Sequence, residues 1–255
     1  MMIATWNVNS LKVRLPQLLS WLEAKKPAIV CLQETKCPDE AFPAAALQEA
    51  GYHAAFIGQK TYNGVAILSR EVMTAIHTNP PFLNEVGKRV IAATVQDLRI
   101  VSVYAPNGQS LDSEKYLYKL EWYKYFTDWI KTELERFPSL VLAGDFNIAP
   151  DDRDVYDPKA WAGQVLVSDK EREAFQRLIN IGVHDALRLL TDEGGIYTWW
   201  DYRQGAFWRN WGLRIDHILV SDTLKTKVQT IEVDRKARGA KKTSDHAPLM
   251  LALKD

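Results

Sequence analysis

The chain has 255 residues, enough to bury a large core as one big domain or two ordinary ones. Apolar residues make up 47% and charged residues 25%, which excludes a disordered chain, and no apolar run is long enough to span a bilayer. With 32 basic and 32 acidic side chains the formal charge is zero, which excludes a protein that coats nucleic acid by bulk charge but leaves room for local basic patches.

The N-terminus has neither a basic start nor a long apolar segment, so no signal peptide is expected. Residues 3–6 read as a strand. Ser10 is expected to cap a helix running to about Lys25, with Leu11, Leu15, Leu18, Leu19 and Leu22 on one face. Residues 28–32 are again strand-like. They contain Cys31, expected to be a reduced core residue, since Cys31 and Cys37 make no disulfide framework. A cytoplasmic setting fits. A short helix is expected over residues 42–50, then strands over 53–57, 64–68, 89–95 and 99–104. Residues 113–137 are expected to form a long amphipathic helix, and 139–143 a strand that ends at Gly144-Asp145.

A polar, irregular loop follows over residues 149–159. Ser168-Asp169-Lys170-Glu171 fits a capping box opening a helix to about Ile181. Strand-like runs cover 196–200, 213–220, 228–233 and 246–253. No low-complexity linker or short-period repeat divides the chain. This number of mixed strands and helices predicts an α/β fold in which two packed sheets carry helices outside, as a single domain over residues 1–255. Nine Trp and ten Tyr exceed what a core requires, and several stand beside Lys or Arg, as in residues 115–119 and 122–125.

Polar islands follow or interrupt the apolar runs, and they supply carboxylates, amides, a tyrosine and histidines. Such parts suit an oxygen-rich site for a hard divalent cation with a proton-handling group beside it. Glu34 follows a strand-like run; it is either a cation ligand over a sheet edge or a solvated surface residue. Asp145 and Asn147, at i and i+2, face the same way if the segment is extended; the alternative is an Asx turn after the strand. Asp216 lies in a run that should be buried, where an unpaired carboxylate costs on the order of several kcal/mol. Arg214, His217 and the distant His246 are its candidate partners. Asp245 and His246 can face one target only outside a regular strand. His246 suits proton transfer or phosphate contact, and Tyr104, at a strand end, suits a hydrogen bond to a phosphate or leaving oxygen.

The stretches TWNVNS, LQETK, GQKTYNGVAILS, VYAPNG, GDFNIAP, YTWWDYR, GLRIDHILVS and SDHAP, spread over essentially the whole chain, carry a resemblance. The sequence resembles the exonuclease III / apurinic-apyrimidinic endonuclease family, within the endonuclease–exonuclease–phosphatase superfamily. The resemblance implies a four-layer α/β sandwich of two mixed β-sheets packed face to face, with the site where loops of both sheets meet. It implies a DNA-repair nuclease that hydrolyses phosphodiesters with Mg²⁺ or Mn²⁺. Glu34 is then the main metal ligand, with Asn9 and Asp245 nearby; Asn9 stands where some relatives carry Asp. Asn7 orients Asp145, Asp145 activates or positions the attacking water, and Asn147 contacts the scissile phosphate. Tyr104 contacts that phosphate or assists the leaving oxygen, and Asp216 pairs with His246, which binds or protonates phosphate oxygens.

Substrate contacts are expected from Lys60, Asn63, Asn107, Arg203 and Arg209, and from the basic run over residues 235–242. By resemblance Trp199, Leu213 and Ile215 line an apolar lesion pocket, bordered by residues 165–167, whose bulk would favour end trimming over abasic incision. The partner implied is double-stranded DNA with abasic sites or blocked 3′ ends, met by a monomer with no membrane involved. Two rivals are a superfamily phosphatase acting on a non-nucleic-acid phosphoester, and a non-enzymatic DNA-binding protein on this fold. The first does not explain GQKTYNGVAILS, VYAPNG and GLRIDHILVS together; the second predicts erosion of the polar site.

Overall fold

The computed structural model describes residues 1–78, 80 and 87–254. In chain order the strands are β1 (Met2–Asn7), β2 (Ile29–Gln33), β3 (His53–Ile57), β4 (Val65–Ser69), β5 (Met73–Thr78), β6 (Val90–Val95) and β7 (Leu98–Tyr104). They continue as β8 (Leu140–Asp145), β9 (Val183–Asp185), β10 (Trp199–Trp200), β11 (Gly212–Leu213), β12 (Asp216–Ser221), β13 (Val228–Val233) and β14 (Leu249–Leu253). One six-stranded sheet runs β13-β14-β1-β2-β4-β3, the other β5-β6-β7-β8-β12-β9, and β10 pairs with β11 apart from both. Both large sheets are mixed: β1 and β2 pair in parallel, as do β7 and β8, and the other neighbours are antiparallel.

Parallel neighbours need a crossover, and long helices supply it. Helix α1 (Leu11–Lys25) joins β1 to β2, and α3 (Glu114–Arg136) joins β7 to β8. Strand alternation then sorts the side chains. Ile3, Ile29 and Ile67 of the first sheet meet Ile100, Val141 and Ile218 of the second. The opposite face of the first sheet, with Val30 and Leu68, is covered by Leu18 and Leu22 of α1 and Leu47 of α2 (Ala44–Glu49). Across the second sheet, α3 brings Trp122 and Phe126 onto Val101 and Leu142, and Leu178 comes from the later helix over Asp169–Ile179. The result is helix, sheet, sheet, helix. Cys31 is a free, buried thiol within it. No helix among the described residues is long and apolar enough to cross a membrane.

Several local expectations need correction. Ser10 precedes α1 but does not cap it with its side chain; its backbone has φ 87° and its N–H is held by the Glu34 carbonyl. Strand β5 has an exposed face and a register shift after Thr74, so it lacks an alternation that a sequence could reveal. Strand β9 is too short to show a period. Residues 213–220 are not one strand. Ile215 and Asp216 donate their N–H groups to Thr198 Oγ1, which breaks the ladder between β11 and β12. The run from His246 becomes a strand only at Leu249, past Pro248, which has no N–H to donate. The irregular 149–159 segment holds a short 3₁₀ turn, Asp152–Asp154, and the start of α4 (Pro158–Trp161). The Ser168 capping box is present and opens α5 (Asp169–Ile179). The aromatic residues Tyr116, Trp122 and Tyr123 of α3 are buried, so they belong to the core.

Registry places the polar islands at one end of the sandwich. Tyr104 at the end of β7 and Asp216 at the start of β12 both stand level with Asp145 at the end of β8. Gly144 is required there, because a Cβ would lie 1.9 Å from the Val103 carbonyl oxygen of β7. On the facing sheet β1 ends at Asn7 and β2 at Gln33, with Glu34 next.

Candidate active site

Asn7 joins the two sheets. Its Nδ2 donates to Asp145 Oδ2 and to Glu34 Oε1, each at 2.9 Å, and its Oδ1 accepts the Asn9 N–H, which fixes the amide orientation. His246 Nδ1 lies 2.8 Å from Asp216 Oδ2, and its Nε2 lies 3.8 Å from Asp145 Oδ2. Glu34, Asp145 and His246 each offer a ligand atom within 4.8 Å of the others. Of the three only Glu34 reaches solvent appreciably, with 17% of its side chain exposed against 2% for Asp145 and 5% for His246.

These groups share charge in a dry space. Burial pushes the Asp145 carboxyl above its ordinary range, helped by Asp216 and Glu34 and opposed by His246 and the Asn7 hydrogen bond. Burial alone would favour a neutral His246, but the Asp216 and Asp145 carboxylates outweigh it and raise the ring well above its ordinary value. That shift favours the imidazolium, with Nδ1 toward Asp216 and Nε2 facing Asp145. Burial, then Glu34 and Asp145, pushes the Tyr104 hydroxyl up, so it stays a donor. The Arg89 guanidinium covers the Tyr104 ring at 4.8 Å.

The Asp145–Asn147 segment is not extended. Asn147 has φ 51°, and its N–H donates to Asp145 Oδ1 at 2.9 Å, so this is an Asx turn after the strand. Asn147 Nδ2 donates to the Ala105 carbonyl, and Asn107 Nδ2 donates to Asn147 Oδ1 at 3.3 Å, so the two amides adjoin. Asp216 does not pair with Arg214. Arg214 grips Asp154 through Nε and Nη2 and reaches Asp185 through Nη1. Asp216 Oδ1 is buried and has no hydrogen-bond partner among the described residues.

Asn9 and Asp245 stand beside the trio. Asn9 Nδ2 donates to Asp245 Oδ1, and Trp199 Nε1 donates to Asp245 Oδ2. Both Asp245 oxygens are thus occupied. His246 and these donors overcome burial and hold the Asp245 carboxyl below its ordinary range. Lys36 Nζ rests 2.8 Å from Glu34 Oε2 and 2.6 Å from Asn9 Oδ1, so those oxygens already face a positive charge. The donor set is hard oxygen with few protein ligands, which fits a cation that keeps most of its water.

Two clefts flank the site. One, of about 580 Å³, is lined by Tyr62, Asn63, Arg89, Tyr104, Asn107 and Tyr118, among others. Lys60, two residues before Tyr62, is exposed. The other, of about 430 Å³, has Tyr156, Trp161, Leu166, Trp199, Arg203 and Trp211 in its wall. Leu213 and Ile215 do not line it, contrary to expectation. They are 0% and 2% exposed, sealed with Val155 and Val167 under Trp161 and Trp199. Arg203 is held by the Asp201 carboxylate, and Arg209 stacks over Trp211 at 4.6 Å. The basic run is partly structural: it forms α7 (Arg235–Arg238), in which Arg235 covers Trp200 and Arg238 donates to the Asp245 and Trp200 carbonyls. Lys236, Lys241 and Lys242 remain exposed. Sequence reasoning missed Lys119, which is buried beneath Asn107 and Asn147. The available signal was its helical spacing with Tyr116, Trp122, Tyr123 and Phe126, which puts it on the buried face.

Residues 4–246 match the Endonuclease/Exonuclease/phosphatase family. The exodeoxyribonuclease III of Haemophilus influenzae is 34% identical over 267 residues, covering all of both chains. A solved Neisseria 3′ phosphatase bound to a product DNA hairpin is 47% identical with a TM-score of 0.98, and an AP endonuclease from Archaeoglobus fulgidus is 36% identical with a TM-score of 0.97, each over the full length of both chains. The chain belongs to the endonuclease/exonuclease/phosphatase family, in its exodeoxyribonuclease III and AP endonuclease branch. It is a phosphodiesterase, a nuclease of the DNA-repair type.

Proposed function

We propose that the chain processes the 3′ ends of duplex DNA, removing 3′ phosphates and other blocking groups and trimming nucleotides 3′→5′, in preference to incising at internal abasic sites. Supporting the preference is the sealed apolar floor. An enzyme that flips an abasic sugar into a pocket needs an open cavity. Here Leu213 and Ile215 are buried and offer almost no surface to one, and Leu166 stands in the groove wall with φ 79°. The likeness to the Neisseria 3′ phosphatase points the same way.

In this reading Glu34, with Asn9 and Asp245 nearby, would hold Mg²⁺ or Mn²⁺, which would supply Lewis-acid charge to the phosphate. Asp145, oriented by Asn7, positions the attacking water and takes its proton; a carboxyl raised by burial is a better base near neutral pH than an ordinary one. His246, held by Asp216, donates from Nε2 to a phosphate oxygen where negative charge grows. Asn147 and Asn107 present amides to the same phosphate, and Tyr104 donates to it or to the leaving oxygen. Lys60, Asn63, Arg203 and Arg209 border the strand.

The test is one gel of end-labelled duplexes carrying a 3′ phosphate, a plain recessed 3′ end or an internal abasic site, with Mg²⁺ or with chelator. The 3′ phosphate should be removed at least about tenfold faster than the abasic site is cut, which corresponds to about 1.4 kcal/mol of transition-state discrimination. Equal rates would remove the preference for ends; unchanged cleavage in excess chelator would remove the cation.

A further inference from the structure

Lys119 is 0% exposed on α3, and its ammonium donates to three protein oxygens. Nζ donates to the Asn107 carbonyl at 3.0 Å, to the Asn147 carbonyl at 2.6 Å and to Glu171 Oε1 at 2.5 Å. Asn107 follows β7 and Asn147 follows β8, so one side chain ties the two loops whose amides adjoin. It approaches both from behind, through main-chain oxygens, and leaves the amide groups themselves free of it. Asn147 sits in the left-handed region at φ 51°, which Asn tolerates better than most residues, inside the Asx turn that Asp145 sets.

The other end of the clamp is equally fixed. Glu171 Oε1 also accepts the Leu166 N–H, and Oε2 accepts the Ser168 N–H and hydroxyl. The Ser168 hydroxyl meets the Tyr116 hydroxyl, one helical turn before Lys119. A lysine in so dry a place needs a carboxylate to remain charged, and Glu171 is that carboxylate. The pair connects the α5 capping box, the Leu166 wall of the groove and both amide loops to one helix.

We propose that Lys119 is a positioning residue of the reaction, setting the Asn107 and Asn147 amides against the scissile phosphate from the side that substrate never touches. The inference rests on the nuclease reading above. Its effect should fall on the chemical step, because the amides meet a phosphate whose charge and geometry change in the transition state, and misplacement of about 1 Å in such a site costs on the order of a hundredfold in rate.

The comparison needs a variant of equal structural cost away from the loops. Arg99 and Glu133 supply one: a buried ion pair at 2.7 Å, with Glu133 on the same helix α3. Steady-state kinetics on a 3′-phosphate duplex and urea midpoints would be measured for wild type, Lys119→Met and Glu133→Gln. Both variants should lose stability. Lys119→Met should lose about tenfold to a hundredfold in kcat, with KM within about threefold, and Glu133→Gln should keep kcat within about twofold. If Lys119→Met does not fold, Lys119→Gln, which keeps one amide donor, is read in the same way. Equal kcat in the two folded variants would overturn the inference while leaving the nuclease reading intact. A wild type that cleaves none of the duplexes would overturn both.

Discussion

At the scale of single residues, the site depends on carboxylates that differ by environment. Asp145 is buried between Asn7 and His246, whereas Glu34 reaches water and Lys36. Asp145→Asn removes the proton acceptor while keeping shape, so cleavage should fall by at least about a hundredfold. DNA affinity should hold or rise, since a negative charge beside phosphate is lost. Single-turnover rates and a binding titration check this, and a loss of only two- or threefold would take Asp145 out of that role. Asp216 and His246 are joined at 2.8 Å and should behave as a unit. Asp216→Asn, His246→Asn and the double variant should lose rate in a strongly non-additive way. Additive losses in log rate would mean that the pair does not act together.

At the scale of elements, α7 changes what the basic run can do. Arg238 is 7% exposed and holds the Asp245 and Trp200 carbonyls, so replacing it would disturb the fold of the loop that carries Asp245-His246. The exposed lysines of the run are Lys236, Lys241 and Lys242. Neutralising these three to Gln should flatten the dependence of log affinity on log salt, by up to about 0.9 in slope for each phosphate that a lysine no longer neutralises. An unchanged slope would make them ordinary solvated side chains. Glu34 and Asp145 were legible as site candidates because each closes an apolar run, and Asp216 because a carboxylate inside such a run demands a partner. The partner was less legible. Arg214, two residues away, was the local candidate, but Asp154 and Asp185 take it, and His246 comes from thirty residues further on. Leu213 and Ile215 alternate like pocket lining, yet only the break between β11 and β12 and the packing of Val155 and Val167 determine their burial. The amide loops were legible; the lysine behind them was harder to read, since its helical spacing puts it on the buried face while its charge argues for the surface.

At the scale of the molecule, buried charge behind the site links stability to pH. His217 donates from Nε2 to the Ile148 carbonyl and accepts from Arg214 at Nδ1, an arrangement that requires the neutral ring. Burial, reinforced by Arg214, lowers its pKa to about 4. The unfolded ring takes up a proton near pH 6.5 and the folded one does not until about 4. Stability should therefore fall as pH drops from about 6.5 to about 4, by roughly 3 kcal/mol in all, and this contribution should level off below that. His217→Gln keeps a donor and an acceptor without titrating, so its urea midpoint should decline less over that window. Parallel curves for the two proteins would assign the acid sensitivity to other groups.

The first and last strands of one sheet lie side by side, and Trp6 Nε1 donates to the His246 carbonyl across 240 residues of sequence. Contacts of such long range are generally late and slow to form. A chain in which the last strand has not yet joined the first does not hold Glu34 and His246 together. The hydrolytic centre therefore cannot exist before the two ends of the chain have met. A cell making this protein is spared an immature form that breaks DNA, and cutting activity itself becomes a measure of how much of the chain has reached its final fold.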